Sequence, residues 1–454
     1  MDNKELKENR GNGWALLPIG VFLVLYIGLG IIFGDFYKMS VVVAFLAAIL
    51  VACLQHRGTT LDEKISIMAK GLADKNIVTM ILIFLASGIF AGILGRDSAA
   101  SVADLFLSFI PAKFSALVLF IVSCFVSTAM GTSCGTIAVI GPIACSLSGF
   151  TGINLALCMG SVVGGAMFGD NLSFISDTTI AATTTQGCKM KDKFKENFFI
   201  ALPAAVITIV ILLIFAFTAT DVNAYTPASP NLWLLIPYVL VLIGGIVGIN
   251  VFVVLLAGIG AAFIIKLCLG IEFVEIVGSM GSGANGMFEV ILVTVLVTML
   301  SGIMRHFGGF DALLYWVKKT FKGKVGGQLG IGALVSAMDI ATANNTVAIV
   351  MAAPIAKNIS DEYGITNTKT ASILDIFGSV VQGILPYGAQ MIYAVSAITV
   401  AYAGGVIPSL VSAVQIIPFL FYPFLLAVSA VIFAFFPGFG IKKKAETSNE
   451  ENKN

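Results

Sequence analysis

The segment 169–185 places charged and hydroxyl side chains inside an otherwise apolar stretch. Asp170 and Asp177 are seven residues apart, so a continuous helix would place both carboxylates on one face with Ser173 between them. A carboxylate near the centre of a bilayer costs about 2.5–3.5 kcal/mol on insertion scales, and two of them together therefore indicate a use. A proton and a Na+ ion compete for one buried carboxylate, which is the simplest physical basis of cation exchange.

Asp177 has a second interpretation, because an Asp followed by two threonines is a good helix N-terminus. The capping role and the ion-binding role are compatible. Asp170 directly follows Gly169, a helix-breaking residue, and has the stronger claim to the ion site. The other candidate ligands in this segment are Asn171, Ser173, Ser176 and Thr178.

Two longer regions, 114–185 and 327–401, are too long for one membrane crossing and are rich in Gly, Ser and Thr. Unwound backbone exposes carbonyl oxygens, and hydroxyl and amide side chains add the oxygen ligands that Na+ requires. Small residues also allow close helix packing in lipid, which is our interpretation of Gly160, Gly164 and Gly165. The candidate ligands at the turns are Thr132, Ser133, Thr136, Asn344, Asn345 and Thr346.

Two further carboxylates, Asp339 and Asp375, lie in apolar surroundings near the second turn and are equally compatible with an ion site and with a structural partner. Both histidines fall in predicted loops, so carboxylates are the expected proton carriers. We expect no bound cofactor apart from the transported or coupling ions, Na+ and H+. The predicted Na+ ligands are Asp170, Asp177, Ser133 and Asn345.

The elements that position these residues must lie in a membrane. The 454 residues are 58% hydrophobic and 11% charged, whereas soluble domains carry about 25% charged residues. Lipid must therefore act as the solvent, and the sequence predicts an all-α polytopic membrane protein. The net charge of +1 argues against a nucleic-acid partner.

Hydropathy and charge predict the arrangement of the spans. Basic stretches at the N-terminal tail, 56–75, 189–195, 305–324 and 442–444 alternate with stretches that contain no Lys or Arg. Placing the basic set inside gives two cytoplasmic termini, with ten crossings and two helical hairpins. The clear spans are 14–33, 39–54, 77–94, 198–217, 232–248, 251–269, 290–304 and 416–436.

The two irregular regions resemble each other. The run from Thr132 to Pro142-Ile-Ala parallels the run from Asn344 to Pro354-Ile-Ala, and Gly160-Ser-Val-Val-Gly-Gly parallels Gly378-Ser-Val-Val-Gln-Gly. The Lys and Arg bias around the two copies is reversed, which predicts an inverted-topology repeat with a site where the broken elements meet. The predicted parts are an N-terminal tail (1–13), scaffold spans (14–76), a first repeat (77–217), linking spans (218–286), a second repeat (287–436) and a C-terminal tail (437–454).

The stretch Gly-Asp-Asn-Leu-Ser-Phe-Ile-Ser-Asp-Thr-Thr at 169–179 resembles the signature of the NhaC-type Na+/H+ antiporter family, and the run Gly131–Thr136 is similar to that family as well. The resemblance implies a bacterial or archaeal plasma-membrane carrier of the wider ion transporter superfamily. It also implies a homodimer in which a transport domain moves against a scaffold, as in an elevator. Two positions depart from the pattern, because Asn171 stands where many relatives have Lys and Phe174 where they have Pro.

The first hypothesis is a secondary transporter that exchanges Na+ for H+ by alternating access. The alternative is a Na+- or H+-coupled carrier of a small organic solute, such as an amino acid or a carboxylate, since the resembling family also includes such carriers. Uptake under a sodium gradient separates the two. An intramembrane aspartyl protease fits poorly, because Met167 breaks the Gly-x-Gly-Asp pattern of those enzymes. A passive channel would conduct without saturation or counter-ion dependence.

Overall fold

In the computed structural model, α-helices joined by short breaks make up the chain, and no β-strand occurs among the described residues. The structure describes residues 11–435 except 30–31, 33–39, 74, 175, 219–227 and 248. Residues 1–10 of the predicted N-terminal tail and the whole predicted C-terminal tail, 437–454, lie outside that range. The predicted all-α fold is confirmed.

The first part of the chain begins with a 3-10 turn, Gly13–Leu16, and a π-helical turn, Val24–Gly28, follows the first helix. The helices are α1 (Leu17–Leu23), α2 (Val41–Leu54), α3 (Leu61–Leu72), α4 (Lys75–Phe109), α5 (Ser115–Met130), α6 (Ser133–Thr151), α7 (Leu155–Leu172), α8 (Asp177–Gln186), α9 (Met190–Thr218) and α10 (Leu232–Ile246).

The remaining helices follow the same pattern of long rods and short breaks. They are α11 (Val251–Cys268), α12 (Phe273–Asn285), α13 (Phe288–His306), α14 (Gly309–Thr320), α15 (Gly323–Thr342), α16 (Asn345–Tyr363), α17 (Asn367–Ile384), α18 (Ala389–Ala403), α19 (Ala413–Ile416) and α20 (Phe421–Phe435).

Seven helices of the described chain are long and apolar enough to cross a membrane, or nine if each of two bent pairs counts as one span. One bent pair is α13 and α14, which meet at 69°. The predicted span 77–94 is too short, because α4 continues to Phe109 through a break at Gly95, where φ is 63°. Hydropathy ends the span at Arg96, whereas the helix continues as a mixed polar and apolar segment. The chain is a multi-pass membrane protein.

Three stretches that lie between the predicted spans contain helices. Residues 56–75 include α3, which begins with a capping box between Thr60 and Glu63. Residues 270–285 include α12, and residues 305–324 include α14. A hydropathy scan misses such segments because they are short or amphipathic rather than uniformly apolar.

Each irregular region contains two broken helical units in the same order. In the first copy, α5 and α6 are separated by Gly131 and Thr132, and α7 and α8 follow with a break at 173–176. In the second copy, α15 and α16 are separated by Ala343 and Asn344, and α17 and α18 follow with a break at 385–388. The predicted broken helices are therefore confirmed. Their inverted relationship and the domain boundaries stay predictions.

Close helix contacts fix the position of α7. An added Cβ at Gly165 would lie 2.3 Å from the carbonyl oxygen of Phe120, and one at Gly169 would lie 2.5 Å from that of Cys124. A Cβ at Gly160 would lie 2.6 Å from the carbonyl oxygen of Phe419. These glycines let α5 and its neighbours approach α7, as small residues do between helices in lipid. The contact places the end of α7, with Asp170, beside the first hairpin.

Candidate functional site

Asp170 lies between the two breaks of the first copy, in the last turn of α7, and is 3% exposed. Its Oδ2 accepts a hydrogen bond from Ser133 Oγ at 2.8 Å, and its Oδ1 accepts one from Ser176 Oγ at 2.7 Å. Ser133 opens the second arm of the hairpin, and Ser176 ends the break after α7. The carboxylate therefore joins both breaks through neutral hydroxyl groups.

Asp170 and Asp177 do not lie on one continuous helix, which was the condition for a common helical face. Helix α7 ends at Leu172, and Ser173 has extended backbone angles (φ −79°, ψ 139°). Asp177 begins a separate helix, α8. The break turns the chain between the two carboxylates, so their spacing in the sequence does not give a common helical face.

Asp177 is exposed and joins the two copies. Its Oδ1 accepts a hydrogen bond from the backbone N–H of Thr178 at 3.0 Å, as expected of an acidic residue in the first turn of a helix. Its Oδ2 accepts a hydrogen bond from Thr346 Oγ1 at 2.8 Å, at the tip of the second hairpin. Thr178 Oγ1 lies 2.8 Å from Ser176 Oγ. Oxygen contacts therefore run from Asp170 through Ser176 Oγ to Thr178 Oγ1, in the residue next to Asp177.

Thr132 and Asn344 occupy equivalent positions and cap the second arms of their hairpins. Thr132 Oγ1 accepts a hydrogen bond from Gly135 N at 3.3 Å, and Asn344 Oδ1 accepts one from Val347 N at 3.1 Å. Thr136 Oγ1 donates to the Thr132 carbonyl oxygen at 2.9 Å. These hydrogen bonds stabilise the hairpin tips. The sequence analysis considered Thr132, Thr136 and Asn344 only as ion ligands and did not predict this structural role.

The next residue in each tip, Ser133 in the first and Asn345 in the second, is buried. Ser133 Oγ accepts a hydrogen bond from Gln390 Nε2 at 2.9 Å, so the start of α18 in the second copy reaches the first hairpin. Asn345 is 7% exposed, its Oδ1 accepts from Thr346 N at 3.0 Å, and its Nδ2 has no partner among the described residues. An unpaired buried amide is costly, which favours a ligand or a rearrangement at this tip.

Asp375 lies in a second polar cluster. It is fully buried and accepts hydrogen bonds from the ammonium group of Lys193 and from Asn197 Nδ2, the latter at 3.0 Å. Lys193 Nζ also donates to Thr179 Oγ1 at 2.7 Å and to the Asn171 carbonyl oxygen at 3.2 Å. Asp375 therefore forms a buried ion pair with Lys193, and the Asn171 carbonyl oxygen belongs to the cluster around it, which links α7, α8, α9 and α17.

Lys193 is a residue that the sequence analysis missed. The stretch 189–195 was predicted as a basic cytoplasmic loop, but α9 begins at Met190, and Lys193 is 1% exposed. The lysines around it in the sequence are exposed, so the composition of the stretch gave no indication that one of them is buried. The available signal was spacing, because Lys193, Asn197 and Ala201 recur at intervals of four along a buried helix face.

Asp339 stands apart from both clusters. It is fully buried near the end of α15, and neither carboxylate oxygen has a hydrogen-bond partner among the described residues. Nearby, Gln382 Nε2 donates to the Ala343 carbonyl oxygen at 3.1 Å, and Tyr387 donates to the Ile340 carbonyl oxygen at 2.8 Å. These bonds tie the second break of this copy to its hairpin tip. No described hydrogen bond joins Asp339 to the Asp170 group.

The described residues that hydrogen-bond to Asp170 and to its hydroxyl partners offer carboxylate, hydroxyl, amide and carbonyl oxygens as ligands. Such oxygens suit hard cations. A hydroxyl can also change its role. It donates a hydrogen bond to a carboxylate that has no bound cation, and it presents its lone pairs to a cation that is bound there. The arrangement can therefore hold a proton or a small cation at Asp170.

Residues 13–217 and 224–436 match the Na+/H+ antiporter family. The chain is 24% identical over 408 residues to the Na+/H+ antiporter NhaC of Bacillus subtilis (strain 168), covering 81% of this chain and 86% of that protein. It is 22% identical over 377 residues to the NhaC antiporter of Alkalihalophilus pseudofirmus, covering 76% and 78%. It is also 22% identical over 415 residues to the malate-2H+/Na+-lactate antiporter of Bacillus subtilis (strain 168), covering 83% and 87%. The match to the family spans both copies of the repeat and the helices between them, and the chain therefore belongs to the Na+/H+ antiporter family.

Proposed function

We propose that this transporter exchanges Na+ for H+ by alternating access, with the two ions competing for Asp170. The observation that carries the proposal is the environment of this carboxylate. Asp170 is buried, its donors are the hydroxyls of Ser133 and Ser176, and no ion pair reaches it within the described part of the chain. A buried carboxylate without a fixed countercharge requires a proton or a cation.

The nearby lysine supports this assignment, because it is engaged elsewhere. Lys193 is paired with Asp375, so its charge already balances a different carboxylate. Asp170 and Asp339 are both left without this lysine as a countercharge. We assign the exchange to Asp170 because its carboxylate joins the two breaks of the first copy through Ser133 and Ser176. Na+ entry displaces the proton, and proton entry displaces Na+, so the two ions cannot be carried together at this position.

The predicted Na+ ligands have different places in this scheme. Asp170 and Ser133 form the buried part of the site, whereas Asp177 lies at its exposed edge beside the tip that contains Asn345 and Thr346. Asp177 receives the cation first, and Asn345 approaches when the tips rearrange. The hydrogen bonds from Thr346 to Asp177 and from Gln390 to Ser133 connect the two copies, so ion occupancy is coupled to their relative position.

A carrier of small organic solutes coupled to Na+ or H+ is the second candidate, and the name of the malate and lactate relative favours it. The scheme retains the bacterial or archaeal plasma membrane, cytoplasmic termini and a homodimer as expectations. Each of these concerns the assembly around the site rather than the chemistry at Asp170.

Reconstituted proteoliposomes with a trapped pH indicator test the first candidate. An inward Na+ gradient should drive H+ efflux in the wild type, and Asp170→Asn should reduce this flux to the level of protein-free liposomes. The control is Asp361→Asn, which removes a carboxylate that is 63% exposed and pairs with Lys357, and it should exchange normally. Full Na+-driven H+ flux in a correctly inserted Asp170→Asn protein would contradict the proposal.

A further inference from the structure

Helix α14 is too short to cross a membrane and lies at a steep angle to the helix before it. It has 12 residues, whereas a crossing needs about 20, and it meets α13 at 69°. Helix α13 has 19 residues and reaches almost the length of one span by itself. With α13 as the spanning helix, α14 lies closer to the plane of the membrane than to its normal.

The inner and outer sides of α14 differ in chemistry. Phe310 and Val317 are buried, whereas Trp316 is 55% exposed and Lys319 is exposed as well. Residues three apart are neighbours on a helix surface, so the indole and the ammonium group share the outer side. An exposed Trp beside basic side chains is typical of an amphipathic helix that lies in the membrane interface.

Two more lysines extend this outer side beyond the helix. Lys322 directly precedes α15, Lys324 lies in its first turn, and both are exposed. No Asp or Glu occurs between Asp311 and Asp339 in the sequence. No ion pair in the described part of the chain includes any of the three exposed lysines. We call this set the basic surface: Trp316, Lys319, Lys322 and Lys324.

The charge of the basic surface indicates the chemistry of its partner. It belongs to the stretch 305–324, which the distribution of Lys and Arg predicts on the cytoplasmic side. Anionic phospholipids give that side of a membrane a negative potential, and basic residues on an amphipathic helix bind their headgroups. A soluble anion would use the lysines but not the exposed indole. Three cationic groups beside one aromatic group therefore fit a phospholipid better than a free phosphate.

The basic surface is connected to the second hairpin by packing. The rings of Trp316 and Phe321 are in edge contact, with their centroids 6.3 Å apart. Phe321 lies tightly against α15, because a Cβ added at Gly330 would be 2.8 Å from the Phe321 Cβ. Helix α15 is the first arm of the second hairpin. A lipid held at Trp316 therefore stabilises the position of that arm.

We propose that the basic surface binds the headgroup of an anionic phospholipid and thereby anchors the first arm of the second hairpin at the membrane interface. The three ammonium groups contact the phosphate of the headgroup, and the indole lies at the boundary between headgroups and acyl chains. This lipid site is separate from the cation site, since no residue of the Asp170 group belongs to it.

Quenching of tryptophan fluorescence by brominated lipids tests the site in the reconstituted full-length protein. In the background Trp14→Phe/Trp233→Phe, Trp316 is the one tryptophan left in the sequence. Its fluorescence is measured in phosphatidylcholine vesicles in which about a third of the lipid is brominated phosphatidylglycerol or brominated phosphatidylcholine. The relative association constant should favour the anionic lipid by about fivefold or more, because each lysine near the membrane surface adds attraction.

Charge removal and salt should both weaken this preference. In the same background, Lys319→Gln/Lys322→Gln/Lys324→Gln should lower the preference to about twofold or less. The charge-conserving variant with Arg at the three positions should retain it. Raising the salt concentration to about 1 M should reduce the preference of the unsubstituted surface, because salt screens exposed charges.

The matched control removes three exposed positive charges from another basic stretch that is predicted on the same side. This variant, Lys189→Gln/Lys191→Gln/Lys195→Gln, should keep the preference of Trp316 for the anionic lipid. Equal quenching by the two brominated lipids, an unchanged preference without the three lysines of the basic surface, or an equal loss in the control would overturn the inference. Inorganic phosphate at matched ionic strength should have no effect. Loss of the preference in phosphate would assign the lysines to a soluble anion and would also overturn it.

Hydrogen exchange tests the anchoring of the hairpin arm. Vesicles that contain phosphatidylglycerol should slow the exchange of amides in the first turns of α15, compared with pure phosphatidylcholine, and this difference should disappear without the three lysines. Equal exchange in the two kinds of vesicle would overturn the anchoring. Neither measurement depends on ion transport, so both are independent of the exchange proposed at Asp170.

Discussion

Lys193 in α9 donates a buried hydrogen bond to the carboxylate of Asp375 in α17, although the two residues are 182 positions apart in the sequence. Asn197 donates to the same carboxylate oxygen, and the lysine also contacts the carbonyl oxygen of Asn171, next to Asp170. The pair therefore fixes the end of α7 relative to α17. It does not supply a countercharge to Asp170, whose carboxylate joins the two breaks of the first copy.

Removing one partner of the Lys193–Asp375 ion pair should strongly destabilise the protein. Lys193→Met leaves Asp375 buried without a countercharge, and we expect the free energy of unfolding to fall by about 3–5 kcal/mol. The double variant Lys193→Met/Asp375→Leu should recover most of this loss, because an apolar pair needs no compensation. Chemical unfolding in mixed micelles measures both values.

The control for this experiment is Lys357→Met, which disrupts a surface pair whose side chains are 36% and 63% exposed. Exposed pairs contribute about 0–1 kcal/mol, so the loss should be small. A double variant as unstable as Lys193→Met alone would show that the pair does not explain the stability of this region.

The two hydroxyl donors to Asp170 should tune Na+ affinity. Ser133→Ala and Ser176→Ala each remove one oxygen ligand from the proposed site, and each should raise the KM for Na+ by about tenfold. Ser146→Ala is the matched control, since this buried serine donates to the Pro142 carbonyl oxygen within its own helix, α6. The assignment fails if all three variants have the same KM for Na+.

The contact between Thr346 and Asp177 should behave as one unit. Thr346→Val and Asp177→Asn each weaken the same hydrogen bond at the hairpin tip, and each should raise the KM for Na+ by about threefold or more. The KM for Na+ of the double variant should not exceed that of the single variant with the higher KM, because the effects of substituting two residues in direct contact are not additive. Thr399→Val is the control, as its hydroxyl donates within α18. Fully additive effects would argue against coupling between the two copies at this point.

Competition predicts a specific dependence on pH. In the range where Asp170 is protonated in the absence of Na+, each Na+ ion must displace a proton. Lowering the pH by one unit should then raise the KM for Na+ about tenfold and leave the maximal rate unchanged. Initial rates over a grid of pH and Na+ concentration measure both parameters. A maximal rate that falls at constant KM would mean that the proton acts elsewhere.

Local signals in the sequence predicted the positions of the breaks. Gly131 before Thr132, and the Asn344-Asn345 pair, mark turns because glycine accepts a positive φ and Thr or Asn caps a helix. Asp170 was predicted at the site because an acidic residue in an apolar segment needs partners. The predicted break at Gly169 is wrong, because α7 continues to Leu172 and the break follows Asp170. These inferences depend on a few neighbouring residues.

The partners of those residues could not be predicted in the same way. Gln390 reaches Ser133, and Lys193 reaches Asp375, through contacts that depend on how distant helices pack. The break at Ser173 also changed the geometry of the Asp170–Asp177 pair, because helical spacing applies only within a continuous helix. A single sequence contains little information about such pairings.

Proton release on Na+ binding tests the central claim most directly. Na+ is added to purified protein in weakly buffered detergent solution containing a pH indicator, and the released protons are compared with the bound Na+. We expect about one proton per bound Na+ in the wild type at a pH where the site is protonated, and none in Asp170→Asn. Na+ binding to the wild type without proton release, or undiminished release from Asp170→Asn, would contradict competition at Asp170.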